Sequence, residues 1–271
     1  MQLAEWADYA YLLAQQAGEA ILSLYDADPV WSVQYKEDKS PVTVADQVSH
    51  DILYHGLANF ILDDHKPAPV LSEEGKLFPF SDRQSWTKYW CVDPLDGTKD
   101  FIARNNEFTV NIALINDHEP IIGIVYVPTQ KCGYLAWRGG GAYRCDEFGN
   151  KKRINTQVPS ARPLRVLASR HHGLDALEPR LAALGEITLM RQGSALKFCT
   201  LAQGDADVFL RLSPSSEWDN AAGQCLLEEA GGGVFSWDGE MLTYNRSGTL
   251  EQQRFIALGD VSYPWQKHIV R

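Results

Sequence analysis

The sequence lacks the cysteine patterns that would indicate an extracellular or zinc-binding protein. Its 271 residues contain five cysteines, an odd number, and no Cys-x-x-Cys pair. Such usage is typical of reduced thiols rather than of a disulfide framework or a zinc site. The cysteines therefore predict a cytoplasmic protein.

Long hydrophobic runs and basic leader segments are also missing. The apolar run Ile121–Val127 is far too short to span a bilayer. The first residues include Glu5 and Asp8 but no basic region, so no secretory signal is predicted. We expect a soluble protein with no transmembrane segment, for which peripheral association with the inner membrane stays open. Oligomeric state is not predicted.

Positive charge is scarce. Lys and Arg total 25 against 35 Asp and Glu, which gives a formal net charge of −10. An acidic chain has no general attraction for nucleic acid, so a nucleic-acid polymer is disfavoured as a partner. A small phosphorylated substrate is compatible, because a bound metal can reverse the local sign of the charge.

The most informative motif follows a short apolar strand. Tyr89–Val92 is a run of β-favouring residues and predicts a buried strand. Pro94 is incompatible with a continuing strand and Gly97 permits unusual backbone angles, so we expect Asp93 and Asp96 on a sharp turn. Two carboxylates this close repel each other unless a cation lies between them, and an oxygen-preferring divalent ion is the natural candidate. An Asp-rich turn without a metal is the alternative.

Two helices are predicted upstream of this motif. Apolar residues recur at helical spacing over Leu3–Leu24. Thr43 is a plausible N-cap for a second helix that runs to about residue 62, which places Asp46 at the third helical position. His50 and His55 are five residues apart and do not share a helical face, so we interpret both as ordinary surface or core residues.

Further carboxylates stand at a strand end and a helix start. A short strand beginning at Val70 ends in the pair Glu73 and Glu74. Asp219 lies in the first turn of a predicted helix. The alternatives to a functional role are a solvated surface pair for the two glutamates and complementation of the helix dipole for Asp46 and Asp219.

A cationic group is predicted in the C-terminal half. Ser194 starts a predicted helix, Lys197 lies one turn further on, and Arg211 ends the next strand. A hydroxyl, the free amides of a helix start and two cations would form a good anion site. Surface-exposed Lys and Arg side chains are the alternative.

The remaining residues alternate between strands and helices. Predicted strands are Phe108–Ile115, Ile121–Val127, Leu164–Ala168, Ile187–Arg191, Asp207–Leu212 and Phe255–Leu258, with strand-like sequence over Gly133–Arg144 around a hairpin turn at Gly139–Gly141. Predicted helices are Leu174–Leu184, Ser194–Gln203 and Asp219–Ala230, and residues 146–158 read as loop-rich. The pattern predicts an α/β fold, with residues 1–160 as an α+β subdomain that contains the candidate metal-binding motifs and residues 161–271 as an α/β subdomain; the resemblance described next implies nucleotide-binding elements in the second.

Together these motifs resemble the magnesium-dependent, lithium-sensitive phosphatases of the inositol monophosphatase superfamily. Four blocks occur in family order: Asp38-x-Ser-Pro-Val-Thr-x-Ala-Asp46, Ser72-Glu-Glu74, Asp93-Pro-Leu-Asp-Gly-Thr98 and Glu217-Trp-Asp219. Such phosphatases have a layered α-β-α-β-α, sugar-phosphatase-like fold, which the alternation above fits.

Within the superfamily the chain looks most like the bacterial 3′(2′),5′-bisphosphate nucleotidases. The supporting blocks are Lys99-Asp-Phe-Ile-x-Arg-Asn, Gly193-Ser-x-Leu-Lys197, Leu201-Ala-x-Gly-x-Ala-Asp207 and Arg211-x-x-Pro-x-x-Glu-Trp-Asp219. Asn106 and Asn220 depart from the family pattern, which has Gly and Thr there. Neither position is a metal ligand in that pattern.

The resemblance implies a ligand set for two or three Mg²⁺ ions. The carboxylates of Glu73, Asp93, Asp96 and Asp219 and the main-chain carbonyl of Leu95 would ligate them, with Asp93 as a bridge. Two metals about 3.5–4 Å apart can hold both the attacking and the leaving oxygen of a phosphoryl transfer. Glu74 would assist through a further water or metal.

The resemblance also implies the catalytic and substrate-binding residues. Thr98, hydrogen-bonded to Asp46, would orient or deprotonate the attacking water, with Glu73 beside them. The scissile phosphate would meet the amides of Gly97 and Thr98. The substrate-binding set is Glu73, Leu95, Asp96, Gly97, Thr98, Ser194, Lys197, Arg211 and Asp219.

The predicted function is therefore hydrolysis of the 3′-phosphate of adenosine 3′,5′-bisphosphate to AMP and phosphate by metal-activated water. An inositol or sugar phosphatase with the same metals is the alternative, and it would not need the site at Ser194, Lys197 and Arg211. A catalytically silent nucleotide-binding regulator is a third reading, against which the intact acidic set argues. The preference between 3′ and 2′ phosphates is not predicted.

Overall fold

The computed structural model describes residues 2–27, 34–35, 41–62, 66–158, 163–170, 181–182, 184–263 and 265. Its helices are α1 (Gln2–Asp26), α2 (Val44–Ala58), α3 (Phe80–Arg83), α4 (Thr98–Ile102), α5 (Leu196–Ala202) and α6 (Glu217–Glu229), with a 3₁₀ turn at Pro128–Gln130. Its longer strands are β3 (Val70–Ser72), β4 (Lys88–Asp96), β5 (Thr109–Asn116), β6 (Glu119–Val127), β7 (Cys132–Trp137), β8 (Gly141–Cys145), β9 (Lys151–Ile154), β10 (Leu164–Ser169), β11 (Ile187–Gln192), β12 (Val208–Arg211), β14 (Gly233–Ser236) and β16 (Phe255–Leu258). Two-residue strands are β1 (Gln34–Tyr35), β2 (Pro41–Val42), β13 (Ser215–Ser216) and β15 (Glu251–Gln252).

Two sheets organise these strands. The larger has the order β3-β4-β5-β6-β7-β8-β9 and is antiparallel except for the parallel pair β3 and β4. The smaller has the order β11-β10-β12-β16-β14, with β10, β11 and β12 parallel. Because β3 and β4 are parallel, their carboxyl ends lie at the same edge of the larger sheet.

Helices cover the sheets in layers. Helices α1 and α2 pack on one face of the larger sheet and share an apolar core with it. Helices α5 and α6 lie between the two sheets, with a second core around Phe198, Phe209 and Leu226. Leu181 and Leu184 belong to a third core on the far face of the smaller sheet. The predicted layered α/β fold is confirmed.

Most of the predicted elements are present within one to four residues of their expected ends. The N-terminal helix spans Gln2–Asp26, and Thr43 caps α2, which ends at Ala58 rather than near residue 62. The hairpin of β5 and β6 and the turn at Gly139–Gly141 are confirmed.

One prediction fails at the central motif, because Pro94 does not end its strand. Strand β4 continues to Asp96, but Asp93 pairs with Asn111 and Asp96 with Thr109, which leaves a bulge between them. The bulge removes Pro94 from the hydrogen-bond ladder, where its missing N–H would be costly.

Residues 146–158 are loop-rich as predicted, apart from the edge strand β9 at Lys151–Ile154. One further expectation is corrected. The helix predicted to begin at Ser194 begins at Leu196, because Ser194 has a φ of +47°, in the left-handed region that a right-handed helix excludes.

Some predictions fall outside the described residues. These are the Leu174–Leu184 helix over most of its length, the turn at Ser40, and the boundary at residues 160 and 161. In the part of the chain that the structure describes, no helix is long and apolar enough to cross a membrane.

Candidate active site

Three carboxylates from distant parts of the chain meet at the carboxyl ends of β3 and β4. Glu73, Asp93 and Asp219 each offer an oxygen, and these oxygens all lie within 4.8 Å of one another. Glu73 directly follows β3, and its amide donates to the Val92 carbonyl of β4 at 3.1 Å. Asp219 is the third residue of α6 and accepts from the Ser216 amide at 3.0 Å, so it caps the helix and also faces the cluster.

The bulge in β4 shapes the middle of this cluster. The Leu95 amide donates to Asp93 Oδ1 at 3.0 Å, which closes a tight turn around the buried Asp93 side chain. Asp96 Oδ2 accepts from Asn111 Nδ2 at 3.1 Å, and Thr109 Oγ1 donates to Asn111 Oδ1 at 2.9 Å. This relay from β5 orients Asp96. Sequence reasoning missed Asn111, because nothing in its position shows which β5 residue lies opposite the bulge.

The electrostatics of the cluster favour a cation. Burial, followed by repulsion from Glu73 and Asp96, raises the pKa of Asp93 well above its ordinary value. Burial and repulsion from Asp96 and Glu73 raise the pKa of Asp219 to about 8. Carboxylates with pKa values this high are costly to ionise together without a positive partner. A set of hard oxygen donors of this kind fits Mg²⁺.

Thr98 links the cluster to α2. Its Oγ1 donates to Asp46 Oδ1 at 2.9 Å, while Asp46 Oδ2 accepts from the Thr43 amide and hydroxyl, each at 2.7 Å. Asp46 is therefore both a helix cap and a partner of Thr98, so the two readings of this residue do not compete. Burial raises the pKa of Asp46 despite these hydrogen bonds.

The same face of α2 also contacts the carboxyl ends of both β3 and β4. Ser49 Oγ donates to the Pro94 carbonyl at 2.6 Å, and His50 Nδ1 forms a 2.8 Å hydrogen bond with Ser72 Oγ. Both side chains are buried. His50 is therefore more than an ordinary core histidine: it ties α2 to the residue before Glu73. The pattern Ser-His one turn after Asp46 was the available signal.

The predicted cationic residues lie near the cluster and are partly engaged by the fold. Lys197 Nζ donates to the Gln192 carbonyl at 3.3 Å and also to the Ser194 carbonyl. Arg211 donates to Ser213 O, Ser169 Oγ and Pro214 O at 3.0–3.2 Å. An ammonium has three N–H donors and a guanidinium five, so one and two donors respectively are not used by the described residues.

One open cleft of about 230 Å³ joins these groups. Its lining includes the predicted residues Glu73, Asp93, Leu95, Asp96, Gly97, Thr98, Ser194, Lys197, Arg211 and Asp219. Asp46 and Glu74 are not part of the lining, and Asp46 is linked to it by the hydrogen bond from Thr98. The lining also contains Arg170 and Ser169, which sequence reasoning did not select because neither stands in a motif we recognised.

The chain belongs to the inositol monophosphatase family, whose model matches residues 2–268. It is 45% identical over 232 residues to the 3′(2′),5′-bisphosphate nucleotidase CysQ of Salmonella typhimurium, covering 86% of this chain and 91% of that protein. It is 44% identical over 237 residues to the nucleotidase of the same name from Escherichia coli K12, covering 88% and 93%.

Solved structures agree in fold. The crystal structure of CysQ from Bacteroides thetaiotaomicron, a bacterial member of the same family, matches with a TM-score of 0.78 and 37% identity, covering 94% of this chain and 97% of that one. An inositol monophosphatase from Anabaena matches with a TM-score of 0.74 and 26% identity, covering 96% and 92%.

Proposed function

We propose that this protein is a Mg²⁺-dependent phosphatase that hydrolyses the 3′-phosphate of adenosine 3′,5′-bisphosphate to AMP and phosphate. The observation that carries the proposal is the shared cleft, whose lining contains both the carboxylate cluster and the cations Lys197 and Arg211. A substrate with two phosphates matches a cleft that offers both a metal-binding cluster and a pair of cations. The similarity to two curated bisphosphate nucleotidases supports the same substrate.

The metal ligands are the carboxylates of Glu73, Asp93, Asp96 and Asp219 and the carbonyl of Leu95. Two or three bound Mg²⁺ ions would neutralise the phosphoryl oxygens and activate the attacking water. The chain orients these ligands before any substrate binds: Asn111 holds Asp96 and the Ser216 amide holds Asp219. Fixed ligands reduce the reorganisation that the reaction requires.

Thr98 and Asp46 provide the route for a proton. The Thr98 hydroxyl donates a hydrogen bond to Asp46 Oδ1, so Thr98 Oγ1 can accept a proton from the attacking water while its own proton passes to the Asp46 carboxylate. The raised pKa of Asp46 makes its carboxylate a better base than an exposed aspartate. Oδ2 is already occupied by Thr43, which keeps Oδ1 directed at Thr98.

The remote 5′-phosphate is assigned to Ser194, Lys197 and Arg211. Lys197 is 5% exposed, and the positive charge of Arg211 as well as the negative charge of Asp96 acts on it. A dianionic phosphate would complement the two positive charges of Lys197 and Arg211. Five buried free thiols further support a reducing, cytoplasmic setting for the reaction.

A phosphate-release panel tests the proposal. Adenosine 3′,5′-bisphosphate, inositol 1-phosphate and fructose 1,6-bisphosphate are each assayed with Mg²⁺ and with a chelator. We expect Mg²⁺-dependent release with the highest kcat/KM for the nucleotide. A preference for inositol 1-phosphate would establish the alternative phosphatase, and nucleotide binding without phosphate release would establish a regulator.

A further inference from the structure

A bidentate ion pair joins Arg170, which lines the cleft, to Glu107. Arg170 Nε lies 2.8 Å from Glu107 Oε2, and Arg170 Nη2 lies 2.5 Å from Glu107 Oε1. Glu107 belongs to the loop before β5 in the larger sheet, and Arg170 follows β10 in the smaller one. Paired, planar geometry of this kind is the stronger form of an ion pair.

Glu107 also holds the turn that carries Ser194. Its Oε2 accepts from the Gly193 amide at 2.7 Å. Arg170 is bound to the same segment, since its amide donates to the Gln192 carbonyl and its Nη2 to the Arg191 carbonyl, both at 3.2 Å. The carboxylate of Glu107 therefore reaches the ends of both β10 and β11.

The turn itself is strained and closely packed. Ser194 has a φ of +47°, which non-glycine residues rarely adopt. A Cβ on Gly193 would lie 2.5 Å from Asp100 Oδ2, so no larger residue fits there. Lys197 of α5 holds the turn through two carbonyls, and Glu107, before β5 of the larger sheet, holds it through the Gly193 amide.

The backbone of Glu107 meanwhile touches the metal-binding turn. A Cβ added to Gly97, directly before Thr98, would lie 3.0 Å from the Glu107 carbonyl oxygen and 3.4 Å from Ser194 Cβ, so both residues pack closely against this glycine. One residue thus contacts the turn next to the carboxylate cluster through its backbone and the turn next to the cations through its side chain.

We propose that Glu107, through its pair with Arg170, is a positioning residue that sets the distance between the reacting phosphate and the remote phosphate, and so determines the preference for bisphosphates. This inference rests on the proposed function. Contacts to a remote group accelerate the reaction only when both ends of the substrate are held in register. Arg170 directs its charge to Glu107, so it builds the site instead of binding the second phosphate.

The test compares two substrates across matched variants. In Glu107→Ala we expect kcat/KM for adenosine 3′,5′-bisphosphate to fall about 10- to 100-fold, the scale of a small misplacement. For adenosine 3′-monophosphate, which has no remote phosphate, we expect a change below about threefold, within the range of indirect effects. Glu107→Gln, which keeps an oxygen acceptor, should recover part of the loss and covers the case in which Glu107→Ala fails to fold.

Glu119→Ala is the control, because Glu119 forms a comparable 2.8 Å pair with Arg138 on an exposed hairpin. It should leave both substrates unchanged. If Glu107→Ala and Glu107→Gln keep the wild-type ratio of the two kcat/KM values, whether both values are unchanged or both fall equally, the inference is overturned. If the wild type itself does not prefer the bisphosphate, the proposed function fails instead, so the two failures are distinguishable.

Discussion

At the scale of single residues, Asp96 is the sharpest probe of the carboxylate cluster. Asp96→Asn keeps the side-chain shape and removes one charge from a set that would hold two or more cations. We expect kcat to fall by a factor on the order of 10² or more, since metal-based charge stabilisation contributes several kcal/mol. The metal-free protein should be equally or slightly more stable, because carboxylate repulsion is relieved.

Steady-state assays at saturating Mg²⁺ and thermal unfolding without metal measure these two effects. Asn111, the hydrogen-bond partner of Asp96, offers a matched comparison: Asn111→Ala should reduce kcat less, because every carboxylate is kept. Near-normal turnover of Asp96→Asn would remove Asp96 from the ligand set.

Lys197 predicts a pH dependence. Burial is the main cause that lowers the pKa of Lys197 to about 8, so the ammonium is largely charged at pH 7 and loses its proton as the pH rises through 8. Since kcat/KM reports the groups of the free enzyme, kcat/KM for the bisphosphate should decline above pH 8. The decline should be smaller for the 3′-monophosphate.

Lys197→Ala supplies the control for this profile. It should lower kcat/KM for the bisphosphate by a factor that corresponds to about 1.5–3 kcal/mol, the scale of a charged hydrogen bond. It should also give the two substrates the same pH profile of kcat/KM. Equal slowing of both substrates by the mutation would instead indicate a structural or catalytic role for Lys197.

At the scale of elements, α2 acts as a brace for the metal ligands. Ser49 and His50 fix the residues next to Leu95 and Glu73. We expect Ser49→Ala and His50→Ala each to weaken Mg²⁺ binding about tenfold, as changes behind metal ligands commonly do. Calorimetric titration of the metal-free protein measures this without an assay of activity.

His55→Ala is the matched control on the same helix, because His55 is exposed and faces away from both strand tips. It should bind Mg²⁺ like the wild type. Unchanged Mg²⁺ affinity in both Ser49→Ala and His50→Ala would show that the hydrogen bonds from α2 do not position the metal ligands at the ends of β3 and β4.

At the scale of the whole molecule, the stability of the folded state depends on whether protons or Mg²⁺ ions neutralise the carboxylate cluster. The pKa of Asp219 is about 8 in the fold, against about 3.9 for an unfolded aspartate. The folded state therefore binds a proton that the unfolded state has lost, so stability falls as the pH rises from about 4 to 8. Without metal, the melting temperature should be lower at pH 8.5 than at pH 6.

Mg²⁺ should reverse this trend, because binding to the folded state stabilises it and fewer protons are displaced at high pH. Differential scanning fluorimetry at both pH values, with Mg²⁺ and with a chelator, measures the effect. Asp219→Asn should flatten the pH dependence of the metal-free protein. A metal-free melting temperature that rises between pH 6 and 8.5 would contradict the raised pKa.

The sequence by itself determined the family, the layered α/β class and the identity of the carboxylates, because those depend on local patterns: hydrophobic periodicity, caps such as Thr43, and short motifs around Asp93 and Asp219. The tertiary structure alone decided what holds these residues in place. The bulge that keeps Pro94 inside β4, the bond from Asn111 to Asp96 and the bond from His50 to Ser72 all join segments far apart in the chain. Their pairing depends on strand register and helix packing, which no local pattern encodes.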